Sequence, residues 1–82
     1  MNEFPLVEVV WLDACSEEAH IELEVAMLVE PLIRRNAGYC IINNKKEVVL
    51  AFGIIENMFK GKNACNVTMA IPKGCIKSIT RL

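Results

Sequence analysis

The chain has one histidine, His20, no Cys-x-x-Cys pair, no glycine-rich phosphate loop, and no apolar run near the roughly 18 residues of a membrane-spanning helix. A lone histidine near Cys15, Glu17 and Glu24 supplies neither the ligand spacing of a metal site nor an oriented base for a nucleophile. His20 therefore reads as a surface or helix-edge side chain. The expectation is a non-enzymatic protein without metal, cofactor or membrane span. No signal peptide precedes the four cysteines, Cys15, Cys40, Cys65 and Cys75, which are spaced by 25, 25 and 10 residues. Free, mostly buried thiols in a reducing cytoplasm are expected, and Asn66-Val-Thr68 carries no weight as a glycosylation acceptor without a secretory route.

Charge of one sign is missing at each end. Residues 1–30 carry eight acids and no Lys or Arg, whereas residues 60–82 carry five bases (Lys60, Lys62, Lys73, Lys77, Arg81) and no acid. The formal net charge of −1 excludes a globally basic nucleic-acid binder. Three arrangements fit the asymmetry: the two ends lie side by side and compensate each other, subunits meet head to tail, or a basic face serves an anionic partner.

Hydrophobic residues, by contrast, are plentiful. They make up 54% of 82 residues, a length that defines one domain, 1–82. A domain this small buries only roughly 60–65% of its unfolded surface. So apolar a composition implies surface covered by another chain, and a homo-oligomer is expected.

Phe4 to Asp13 reads as a strand, with Val7, Val9 and Trp11 on one face and Leu6, Glu8, Val10 and Leu12 on the other. With both faces largely apolar, it is either central or covered by a partner, and Trp11 is a core aromatic. Ser16 suits a helix N-cap, and Glu17 and Glu18 a first helical turn. Ile21 to Val25 alternates like a strand, yet Ile21, Val25 and Leu28 share a helical face; a short helix over 20–29, ended by Pro31, is preferred. A second strand spans Leu32 to Ile42, Asn43-Asn-Lys-Lys46 is a hairpin turn, and a third strand spans Glu47 to Ile55, with Gly53 available for a bend or bulge. Glu56 to Cys65 reads as a polar loop with Lys60-Gly61-Lys62 at its tip. There Met58 and Phe59 either tuck under the body of the fold or contact a partner.

Val67, Met69 and Ile71 alternate as a fourth strand. Pro72 ends it, and Gly74 tolerates backbone angles that other residues avoid, so Pro72 to Ile76 suits one tight helical turn before a last short strand. The order describes a mainly β protein: a five-stranded, strongly bent small barrel with a short helix after the first strand, its terminal strands paired. Sm-like and Src-homology-3-like barrels share this plan.

Gly38-Tyr-Cys-Ile-Ile-Asn-Asn-Lys-Lys-Glu-Val-Val-Leu50 is similar to the first Sm motif, and Ala70-Ile-Pro-Lys-Gly-Cys-Ile76 resembles the second, with Lys73 and Gly74 at its basic-residue and glycine places. The whole chain also resembles small uncharacterised proteins of tailed phages and prophages that look Sm-like. The resemblance implies a ring-forming binding module acting on a host or phage protein, with single-stranded RNA binding as the alternative. Ligand contacts would then fall at Lys73, Gly74, Lys77, Arg81 and Tyr39, a basic and aromatic set suited to phosphates and stacked bases. Asn43 stands where Sm proteins carry the turn aspartate, and Glu47 where they carry the base-reading asparagine. An acid there repels phosphate, so the resemblance implies a barrel and a ring more than uridine binding.

Overall fold

The computed structural model describes residues 4–14, 20 and 22–82. The chain runs β1 (Leu6–Asp13), α1 (Leu23–Ala26), β2 (Leu32–Asn43), β3 (Glu47–Phe59), β4 (Lys62–Pro72), a 3-10 turn (Lys73–Cys75) and β5 (Ile76–Arg81). All strand pairs are antiparallel, in one sheet of order β4-β3-β2-β1-β5. β1 is central, one of the two placements its apolar faces allow. The terminal strands pair as expected, Val7 opposite Arg81 and Val9 opposite Ile79.

Val7 and Val9 of β1, Cys40 of β2, Val48 and Leu50 of β3 and Ile71 of β4 form the core, with Trp11, Met69, Ile76 and Ile79 packed around it. Val9 and Ile71 belong to strands separated by two others, so they share a core only because the sheet bends through β2 and β3. Two features permit the bend. The β2–β3 register shifts between Cys40 and Ile42, a bulge that increases local twist. Gly38 is buried at the crossing, where a Cβ would lie 3.0 Å from the Ala51 carbonyl oxygen and 3.3 Å from Leu50 Cβ; the missing side chain lets the strands cross this closely. Trp11 is half-buried against the core and donates its indole N–H to Asn36 Oδ1 at 2.8 Å, which satisfies its polar edge.

The sheet does not close into the expected barrel. β4 and β5 are its two edges and do not pair with each other. The paired residues of β2 and β3 lie between Tyr39–Asn43 and Val48–Ala51; beyond these, β3–β4 continues as a two-stranded arm and β2–β1–β5 as a three-stranded ladder. The molecule is long, 57 × 23 × 21 Å. Its radius of gyration of 16.9 Å exceeds the roughly 12 Å of a compact domain this size.

Four local expectations are corrected. The helix expected over 20–29 shrinks to α1, four residues with no buried side chain. The chain leaves it through i→i+3 bonds, with Leu28 N–H donating to Val25 O at 3.0 Å and Val29 N–H to Ala26 O at 3.2 Å. Good helix formers do not sustain a longer helix without a packed apolar face. The Ser16 cap, Glu17, Glu18, Ile21 and Cys15 lie outside the described residues. Next, Glu56 to Cys65 is not a loop but the end of a hairpin turning at Lys60 and Gly61. Positive φ at Asn57 (55°), Lys60 (45°) and Gly61 (88°) accommodates the turn. Asn57 Oδ1 accepts the Gly61 N–H at 2.6 Å, and Asn57 N–H donates to Asn63 Oδ1 at 3.1 Å. Finally, Val67 does not share the buried face of Met69 and Ile71: it is 68% exposed and has a φ of 46°. Gly53 forms no bulge; it pairs with Asn66, whose Oδ1 would clash with a Cβ there.

Candidate functional site

The residues of the two Sm-resembling motifs meet at one corner of the sheet. Asn44 shapes the β2–β3 turn: its Oδ1 accepts the N–H groups of Lys46 and Glu47, each at 2.9 Å, and its own N–H donates to Glu47 O at 3.1 Å. An asparagine that caps its own turn is the usual chemistry of this residue type. Glu47 stands opposite Pro72, and Lys73 N–H donates to Lys46 O at 2.8 Å. The corner therefore gathers exposed Lys45 and Lys46, half-buried Lys73, exposed Gly74 and half-buried Glu47. It can attract anions through its lysines, with Glu47 opposing them.

The other expected contact residues stand elsewhere. Tyr39 is half-buried in β2, opposite Leu6. Exposed Arg81 lies opposite Val7, so Tyr39 and Arg81 flank the start of β1 on its two sides. Exposed Lys77 lies near the other end of β5, beside the register shift at Val10 and Trp11. Gly74 has neither a positive φ nor an atom within 4 Å of a Cβ built there, so the turn does not demand glycine.

The β1–β5 pairing sets the acidic start beside the basic end, while the ion pairs among the described residues run across β1–β2. Asp13 pairs with Arg34, and Glu8 Oε1 with Arg35 Nη1 at 3.3 Å, both across the β1–β2 ladder. Both pairs are largely exposed, so each contributes at most about 1 kcal/mol. Among the described residues, Lys60, Lys62, Lys73, Lys77 and Arg81 form no ion pair.

The β3–β4 arm carries two further features. Met58 and Phe59 do not tuck under the sheet: they stand at the arm's end, 56% and 58% exposed, and with Lys60 and Lys62 bound an open concavity. Closer to the body, Phe4, Ile41, Ile54, Asn63, Ala64 and Cys65 line a mostly apolar cavity of about 200 Å³. Cys65 is exposed, Cys75 half-buried and Cys40 buried; all three are free thiols, so mostly buried describes Cys40 alone. His20 is exposed.

Among the described residues, no three His, Cys, Asp or Glu side chains are grouped to hold a metal ion, and no helix is long and apolar enough to cross a membrane. No protein-family model matches the chain, and neither curated proteins nor solved structures yielded a match.

Proposed function

We propose that this protein is a non-enzymatic, ring-forming binding module of the Sm-like kind, whose copies join by adding β4 of one to β5 of the next. The observation that carries this reading is the strand order, which leaves β4 and β5 as the two unpaired edges. Edge strands present rows of unsatisfied N–H and C=O groups and readily add another strand. Unlike edges produce a heterologous contact, which closes into a ring when the rotation between copies allows. The exposed apolar side chains near these strands, Leu82 and Val67 among them, favour covering the same surface. The resemblance to phage proteins makes a host or phage protein the ligand class.

The test is the mass in solution. Light scattering at micromolar concentration is expected to give a defined multimer, and a monomer would remove the reading's main support. Leu82 N–H donates to Leu6 O, at 2.8 Å. In the alternating ladder the N–H of Arg81 then points outward. Arg81→Pro removes an outward donor at a position where an edge strand tolerates proline, so it is expected to lower the mass and leave the fold intact. Arg81→Ala controls for the lost charge.

The gathering of Lys45, Lys46 and Lys73 favours a second reading, single-stranded RNA binding at the corner, with Tyr39, Lys77 and Arg81 as further contacts. Glu47 opposes it. Fluorescence titration with oligo-U and oligo-A decides: absence of salt-sensitive binding ends this alternative.

A further inference from the structure

We infer that the apolar, basic tip of the β3–β4 arm, Met58 to Lys62, docks on the apolar, acidic segment Glu22 to Glu30 of a second copy. The inference rests on the reading that the chain self-associates, but not on which strands pair. Among the described residues both surfaces lack cover. Around α1, Leu23, Met27 and Leu28 are 69%, 75% and 77% exposed, a poor state for side chains of this type in water. Six apolar residues (Leu23, Val25, Ala26, Met27, Leu28, Val29) and three acids (Glu22, Glu24, Glu30) share this stretch with no base, while the tip joins Met58 and Phe59 to Lys60 and Lys62 with no acid.

The nearest bases in sequence to the acidic segment, Arg34 and Arg35, are engaged by Asp13 and Glu8. Among the described residues neither Glu22, Glu24 and Glu30 nor Lys60 and Lys62 form an ion pair. Joining the two surfaces removes apolar area from water and sets opposite charges at its rim, the composition of a specific contact. Each surface answers the other's deficit in both terms. A generic anion would answer only the lysines, and a generic apolar patch only Met58 and Phe59.

The experiment is a charge swap read by light scattering and sedimentation. Lys60→Glu/Lys62→Glu and Glu22→Lys/Glu24→Lys are each expected to weaken association about tenfold or more, and their equimolar mixture to regain it, because the reversed tip of one variant complements the reversed segment of the other. If either variant associates like the unmodified chain, or the mixture associates no better than its components, the inference is overturned. A loss of folding stability without a loss of association would place the contact within one chain and also overturn it. If Lys60→Glu/Lys62→Glu leaves association intact but abolishes capture on phosphatidylglycerol vesicles, the tip serves an anionic bilayer and the inference fails. Arg81→Pro separates the two readings: loss of the multimer there, with charge-reversed variants unaffected, retains strand addition and discards tip docking.

Discussion

Val67 is where β4 changes character. Its neighbours Thr68 and Asn66 pair with Ala51 and Gly53, but Val67 itself takes a φ of 46° and turns its side chain to solvent. A left-handed conformation costs an L-residue about 1–2 kcal/mol, and a β-branched side chain suits it poorly. Asparagine accepts that conformation more easily. Because the side chain is mostly exposed, its replacement sacrifices little burial within the chain. Val67→Asn is therefore expected to raise unfolding free energy by about 1 kcal/mol, read as a higher urea midpoint with unchanged slope. The measurement belongs at a dilution where copies are separate, since a partner covering Val67 would add its own term. A lower midpoint would show that the valine packs against something its exposure does not reveal.

At the scale of elements, the two glycines of the Sm-resembling motifs make opposite predictions. Gly38 is buried where β2 crosses β3, with backbone 3.0 Å from the place of a Cβ. Gly38→Ala must push the strands apart and is expected to cost about 1–3 kcal/mol, the range for overpacking. Gly74→Ala meets nothing within 4 Å and is expected to change stability by less than about 0.5 kcal/mol. Urea unfolding of the two variants checks the contrast; equal costs would argue against a bend centred on Gly38. The same elements explain what the sequence made legible. β1, β2, the Asn44 turn and the 3-10 turn stood out because alternation against a shared core, turn asparagines and Pro72 each leave a local trace. The outer half of the β3–β4 hairpin left a single sign, Asn57 placed four residues before Gly61, because neither of its faces is buried and no period marks it. The site was less legible than the fold. Lys73 and Gly74 could be singled out by motif, but their adjacency to Lys46 depends on a backbone bond between two distant turns.

The whole molecule exposes more surface than its mass warrants. Its accessible area is 6512 Å², roughly a third above the ~4,900 Å² expected of a compact monomer of 9.2 kDa. In the projecting arm no residue from Ile55 to Ala64 is buried. Such an arm contributes little to the stability of a single chain, so its apolar side chains require another reason to be there. Joining Ile54 to Cys65, which already face each other across the ladder, through Asn-Gly would replace the outer hairpin with a tight turn. The core around Leu50 and Ile71 is untouched by this change. The shortened chain is expected to unfold within about 1 kcal/mol of the full one when both are monomeric, to show a smaller radius of gyration by X-ray scattering, and to associate more weakly at micromolar concentration. A loss of more than about 2 kcal/mol would mean that the arm supports its own sheet, comparable to removing a buried side chain. In that case Met58 and Phe59 would need no partner to account for their exposure. Preserved stability with reduced association would assign the arm to contacts between copies, the role its position, apolar content and uncompensated lysines jointly favour.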